Sequence, residues 1–379
     1  MVLSTAFSQM FGIDYPIVSA PMDLIAGGEL AAAVSGAGGL GLIGGGYGDR
    51  DWLARQFDLA AGAPVGCGFI TWSLARQPQL LDLALQYEPV AVMLSFGDPA
   101  VFADAIKSAG TRLVCQIQNR TQAERALQVG ADVLVAQGTE AGGHGHGPRS
   151  TLTLVPEIVD LVTARGTDIP VIAAGGIADG RGLAAALMLG AAGVLVGTRF
   201  YATVEALSTP QARDPLLAAT GDDMCRTTIY DQLRRYPWPQ GHTMSVLSNA
   251  LTDQFEDTEL DILHREEAMA RYWRAVAARD YSIANVTAGQ AAGRRGRSRV
   301  AGRLGTLLHG AHRGQRPRRL LRHTGYHVGG WQDGIDQARG LTGGDICDAV
   351  VTRSNGSPIS GHGFFAMENV EFGVLEFVG

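Results

Sequence analysis

The chain has 379 residues, 46% of them hydrophobic and 18% charged, with a formal net charge of −6. That is enough apolar material for one large core, or for a barrel with a smaller appended domain. The mild acidity speaks against nucleic acid or an anionic membrane as partner.

The four cysteines, Cys67, Cys115, Cys225 and Cys347, include no CxxC pair, which argues against a metal site and against a disulfide framework. Cys67 and Cys115 lie in apolar runs and read as buried, inert thiols. The N-terminus lacks the layout of a signal peptide, and no uncharged apolar run reaches the ~18 residues of a membrane span. The expected location is a reducing cytoplasm.

From residue 15 to 200, short apolar runs alternate with helical patterns. The runs are Tyr15–Met22, Gly39–Gly45, Pro64–Ile70, Ala91–Phe96, Arg112–Ile117, Asp132–Gln137, Pro170–Ala174 and Gly193–Phe200. Each is rich in Val, Ile, Leu and Ala without polar alternation, as in a strand buried on both faces. Between them, stripes such as Leu80, Leu81, Ala84 and Leu85 have helical spacing. Strands alternating with helices imply a parallel sheet, and eight such units in about 200 residues favour a closed (β/α)8 TIM barrel over an open sheet.

After Phe200 the pattern changes, with turn signals at Pro210, Pro215, Pro237 and Pro239 and one long helix predicted over 263–280. Residues 1–205 thus read as the barrel and 206–290 as a smaller, mostly helical lid. Residues 291–379 read as an atypical Arg/Gly-rich tail. Residues 281–332 hold ten arginines and no Asp or Glu, a composition suggesting that the sequence from about 291 onward comes from an altered reading frame.

Three segments carry candidate chemistry. The first is Gln137-Gly-Thr-Glu-Ala-Gly-Gly-His144, which follows the sixth run and so lies at the C-terminal mouth, where barrels of this kind place their active sites. Gly142 and Gly143 allow close approach of backbone to a planar ligand and deliver His144, an imidazole suited to taking a proton at neutral pH. His146 lies further along the loop, and Asp179 reads as a helix cap.

The second segment is split between two strand ends. Gly175-Gly176 and Gly197-Thr198 close runs seven and eight, where backbone amides and a helix N-terminus commonly hold a phosphate. The third is Ala20-Pro21-Met22 at the end of the first run, a rigid turn with a soft apolar face. Gln116 and Gln137 close runs five and six with carboxamides that could meet a cofactor's polar edge. The run Gly44-Gly45-Gly46-Tyr47-Gly48 lacks a GxGxxG pattern, so no Rossmann site is indicated.

Taken together, Ile17-Val-Ser-Ala-Pro-Met22, Gln137-Gly-Thr-Glu-Ala-Gly-Gly-His144, Ala173-Ala-Gly-Gly-Ile-Ala-Asp-Gly-Arg181 and Gly197-Thr-Arg-Phe200 resemble the nitronate monooxygenase family. The resemblance covers about residues 8 to 290. It implies non-covalent FMN, with the phosphate on Gly175, Gly176, Gly197 and Thr198. The ring would lie near Ala20, Pro21 and Met22, with Gln116 and Gln137 at its polar edges, and the catalytic base falls on His144. The partners implied are a small-molecule substrate and O2, with a homodimer allowed. Gly68 and Gln116 depart from the pattern, since many bacterial members carry Asn and Lys there. The enoyl-ACP reductases that use flavin share the Gly-Gly-His loop, and Ser150-Thr-Leu-Thr-Leu-Val-Pro156 resembles theirs, so NAD(P)H-dependent reduction is the alternative activity. A non-catalytic flavin-binding barrel is the alternative of another class.

Overall fold

The computed structural model describes residues 3–255 and 262–293. The apolar runs form β1 (Ile17–Ser19), β2 (Leu42–Gly46), β3 (Gly66–Ile70), β4 (Ala91–Ser95), β5 (Arg112–Ile117) and β6 (Val133–Gln137). Then follow β7 (Gly143–His146), β8 (Val171–Ala174) and β9 (Gly193–Val196). All but β7 join one eight-stranded parallel sheet in the order β1-β9-β8-β6-β5-β4-β3-β2. The sheet closes on itself where Val18 bridges Leu40. There Ser19 N donates to Leu40 O at 3.0 Å and Leu40 N to Ile17 O at 2.9 Å. The result is the (β/α)8 barrel the sequence predicts.

Side chains on a barrel strand alternate inward and outward, so each strand fills two layers. Outward residues such as Ile43, Cys67, Leu94, Leu134 and Val194 pack under the surrounding helices. Inward residues such as Leu42, Met93, Val114, Val135, Ile172 and Leu195 form a separate core inside the barrel. Burial pushes the Cys115 thiol up to about 12 and raises that of Cys67 as well, so both thiols are inert as expected.

The N-terminal end of the barrel is plugged. Thr5 caps the helix Ala6–Phe11 through a reciprocal bond with Ser8. Phe7 from that helix is 1% exposed and joins the inner core. Burying a ring of that size contributes about 1.5–3 kcal/mol. One step nearer the other end of the strands, the inward positions turn small or polar: Ala20, Gly44, Ser95, Gln116, Gln137, Ala174 and Gly197. The barrel is therefore packed at one end and recessed at the other.

Residues 206–290, the segment read as a lid, hold strands as well as helices. Two strands, β10 (Met224–Thr227) and β11 (His242–Leu247), pair antiparallel with β7 in a second sheet of order β10-β11-β7. Helices Pro210–Ala218, Ile229–Arg234, Ala250–Gln254 and Ile262–Ala278 surround it. Two further differences matter for the site. The Gly-Gly-His segment is a strand of this second sheet, with His144 opposite Met244, and not an open loop. The eighth predicted run ends as a strand at Val196, and Thr198–Tyr201 is a helical turn.

The lid is fastened to the barrel by the segment after its last helix. Leu247 N donates to Val286 O at 2.9 Å, and Gln290 N to Glu140 O at 3.0 Å. Ser245 Oγ donates to Ala288 O at 2.8 Å. The predicted Arg-rich tail lies outside the described residues from 294 onward.

Candidate active site

The strand order places the sequence-predicted residues on five adjacent strands around half of the mouth: Ala20–Met22 after β1, Gly197–Thr198 after β9, Gly175–Gly176 after β8, Gln137 at the end of β6 and Gln116 in β5. Ala20 N donates to Val196 O at 2.9 Å, which fixes the turn after β1 beside the end of β9. A side chain built at Gly197 would meet only the Ala20 Cβ at 3.5 Å and the Met22 Sδ at 3.7 Å. Pro21 instead crosses toward β3, where its ring fills the space that a side chain on Gly68 would need. That contact is the reason for glycine at 68.

Gly175 and Gly176 have φ of +108° and +72°. Two consecutive positive φ values are tolerated here because both residues are glycine. Glu140, between this turn and the lid, accepts from Thr151 N at 2.9 Å and Thr151 Oγ1 at 3.0 Å, so its charge is spent at the start of the helix Thr151–Ala164. Asp179 caps the next helix through Arg181 N and Gly182 N, as read from the sequence. A cavity of about 340 Å³ opens beside the turn, lined by Glu140, Thr151, Gly175, Gly176 and Gln290 among others. The Thr198 hydroxyl accepts from Gly289 N at 3.0 Å, tying the chain after the lid to this wall.

The carboxamides are arranged differently from the expectation. Gln137 Oε1 accepts from Gln116 Nε2 at 3.0 Å and from Gln118 Nε2, and Gln137 Nε2 donates to the His144 carbonyl at 3.1 Å. The polar atoms of Gln137 are thus used inside the protein, holding β7 in place, while Gln116 Oε1 has no bond among the described residues. Gly143 carries φ +73°, which lets the chain turn from the mouth into β7.

His144 is 9% exposed, and its Nε2 lies 2.9 Å from Asp231 Oδ2. Asp231 is itself buried, and its other oxygen lies 3.7 Å from Arg234 Nη2. Desolvation lowers the pKa of His144 below the usual histidine value, opposed by Asp231 and reinforced by the cations Arg234 and Arg226. The ring is therefore neutral at neutral pH. With Nε2–H given to the carboxylate, Nδ1 is its basic nitrogen. Trp238 stacks on the imidazole with centroids 3.5 Å apart and planes 9° from parallel, and Phe96 meets it edge-on at 6.2 Å.

Asp231, Arg234, Trp238 and Gln118 escape sequence reasoning. The pair of prolines flanking Trp238 signals a rigid turn, but nothing in the order of residues says that this turn folds over residue 144.

A closed parallel barrel with a recessed C-terminal mouth, glycine turns on adjacent strands and one buried, carboxylate-held histidine defines a (β/α)8-barrel enzyme. Residues 4–64 and 70–294 match the nitronate monooxygenase family, and the chain belongs to that family of flavin-dependent oxidoreductases. Nitronate monooxygenase npaC of Metarhizium robertsii is 38% identical over 262 residues, covering 62% of this chain and 72% of its own. A (3aS,4S,5R,7aS)-5-hydroxy-7a-methyl-1-oxo-octahydro-1H-indene-4-carboxyl-CoA dehydrogenase of Mycobacterium tuberculosis is 35% identical over 234 residues, 61% of this chain and 65% of its own. Among solved structures, FabK from Thermotoga maritima is similar with a TM-score of 0.72 and 28% identity, covering 89% of this chain and 99% of that one. Among the described residues no helix is long and apolar enough to cross a membrane.

Proposed function

We propose that the protein uses FMN to oxidise alkyl nitronates, and the neutral nitroalkanes that give rise to them, with O2, yielding a carbonyl compound and nitrite. The observation that carries this reading is the buried His144–Asp231 pair beside the glycine turns. A neutral nitroalkane must lose its α-proton before it can release electrons, and this pair is built to take one.

The residues present fit the cofactor. The amides of Gly175 and Gly176, with Gly197 and Thr198 at the start of a helical turn, suit a phosphate. The inward residues Ala20, Ala174 and Gly197 are small where the packed barrel core ends, which would leave room for a ring, and Pro21, Met22, Gly142 and Gly143 are the residues that would adjoin it. Gln116 Oε1 can accept from the ring's polar edge. Bound there, FMN would supply the redox chemistry, with O2 as the terminal oxidant.

The protein's own part is proton handling and electrostatics. Neutral His144 takes the α-proton on Nδ1 while Nε2–H stays on Asp231. The imidazolium that results is stabilised by Asp231 and can hold the anionic nitronate. A preformed nitronate needs no base.

Oxygen uptake by the flavin-loaded enzyme with propionate 3-nitronate tests the reading. Oxygen consumption with stoichiometric nitrite supports it. NADH oxidation with a crotonyl thioester and no nitronate turnover replaces it with the enoyl reductase activity. Purified protein without flavin absorbance, even after incubation with FMN, would remove both.

A further inference from the structure

The glycine run Gly44–Gly48, which lacks a GxGxxG pattern, has a structural product: it presents Tyr47 at the mouth. Gly46 and Gly48 have φ of +48° and +98°, and a side chain at Gly46 would collide with the Asp23 carboxyl. Tyr47 so placed meets the lid. Its ring stacks on Tyr236 at 4.0 Å, and its hydroxyl accepts from Trp238 Nε1 at 3.1 Å.

Trp238 lies in the turn Tyr236-Pro-Trp-Pro-Gln-Gly241, whose freedom is restricted at both ends. Two prolines flank the indole, Tyr236 N donates to Asp231 O at 2.9 Å, and His242 Nδ1 lies 3.0 Å from Pro239 O. Around the indole stand Phe96 at 5.0 Å, Trp72 at 5.5 Å and His242 at 5.6 Å, with His144 stacked beneath it. One face of the candidate base is thus covered by an aromatic wall that is bonded to the barrel and set in a rigid turn.

We propose that Trp238, latched by Tyr47, is the specificity-determining residue of this site, restricting it to small planar anions by walling the space beside His144. This rests on the nitronate reading above. A fixed wall excludes a substrate by van der Waals overlap, and a single methylene in an apolar pocket is already worth about 10–200-fold in selectivity. A secondary or cyclic nitronate carries its extra bulk on the carbon that lies beside His144 when the parent nitroalkane is deprotonated there, so it meets the wall directly.

The test compares kcat/KM of the flavin-loaded enzyme for the nitronates of nitroethane and nitrocyclohexane. Trp238→Ala should raise the cyclohexyl-to-ethyl ratio by about tenfold or more, and Trp238→Phe by less. Tyr47→Phe keeps the ring on Tyr236 but removes the acceptor of the indole N–H, and should shift the ratio the same way by a few fold. A merely structural role would lower both rates together and leave the ratio unchanged, which overturns the proposal. Carboxylates are planar monoanions like nitronates, so dissociation constants for acetate and cyclohexanecarboxylate, read from the bound flavin's absorbance, give the same ratio without turnover. An enzyme inactive on every nitronate but showing the ratio shift in binding would refute the proposed reaction and keep the wall. If Trp238→Ala fails to fold or to hold flavin, the other two variants decide.

Discussion

His144 and Asp231 are 87 residues apart in the chain, yet His144 Nε2 and Asp231 Oδ2 lie 2.9 Å apart at the barrel mouth, both side chains buried. One residue comes from β7, the strand that leaves the barrel, and the other from the helix Ile229–Arg234 of the lid. The pair therefore forms only when the lid is folded onto the barrel. It also fixes the tautomer, because a carboxylate accepts and cannot donate.

Replacing Asp231 by Asn keeps an acceptor for Nε2–H but removes the negative charge. Turnover of neutral nitroalkanes should fall steeply, by up to about 10⁴-fold, as when the carboxylate that orients a general-base histidine is made an amide. The pH profile separates this from general damage. In the parent, the acidic limb of kcat/KM should fall below pH 6.5, because His144 is depressed from the ordinary value by burial. Without Asp231 the imidazolium loses its main support, so the limb should move to still lower pH. A limb that moves upward would contradict the assignment.

The barrel was legible because its strands are buried on both faces, and a run such as Ala91–Phe96, bounded by turn residues, is too short for a buried helix. The glycine turns were legible for a related reason: Gly175 and Gly176 adopt backbone angles that other residues rarely tolerate. The lid sheet was not legible. Met-Cys-Arg-Thr in β10 and His-Thr-Met-Ser-Val-Leu in β11 show neither a continuous apolar run nor clean alternation, and β7 is half glycine. Gln137 lies between these cases. Its place at the mouth follows from the sequence, but its bond to the His144 carbonyl depends on where β7 runs afterwards.

Asp23 follows the Ala20–Met22 turn, and burial pushes its carboxyl up to about 6, against the pull of Arg234 and a hydrogen bond from the Tyr47 amide. A carboxyl raised in the fold stabilises fully below about pH 4 and loses that stability as pH rises through about 6. Asp23→Asn retains an acceptor for the Tyr47 amide and has no proton to lose. It should therefore gain about 2 kcal/mol, or several degrees in Tm, at pH 7.5 and little at pH 4. Equal gains at the two pH values would show that ionisation is not the cause.

At Gly176, φ is +72°, and a side chain would also press on the Glu140 Cβ at 3.3 Å. Gly176→Val places a β-branched residue in that region, at a strain of order 1–3 kcal/mol, and covers amides expected to face the phosphate. A barrel with this much core should survive that cost. The expected product is a folded, colourless protein, by circular dichroism and visible absorbance. Normal flavin content would mean that the phosphate is held elsewhere.

The decisive substitution is His144→Ala. General-base catalysis is typically worth ~10²–10⁴-fold, so activity on neutral nitroalkanes should drop by about that factor. Flavin content should be unchanged, because the residues proposed for the phosphate, in the turns after β8 and β9, make none of the imidazole's contacts, which are with Asp231, Trp238 and Phe96. On preformed nitronates the loss should be smaller, since the proton has already gone and the base has no step to perform. The contrast between the two substrates is what identifies a base. Equal losses on both would assign His144 to binding or structure, and undiminished oxidation of neutral nitroalkanes would remove it from the reaction altogether. Trp238 would lose its stacking partner in this variant, so the comparison with His144→Gln, which keeps some of that contact and has no basic nitrogen, separates the missing base from a collapsed wall: the Gln variant should be as slow as the Ala variant on neutral nitroalkanes.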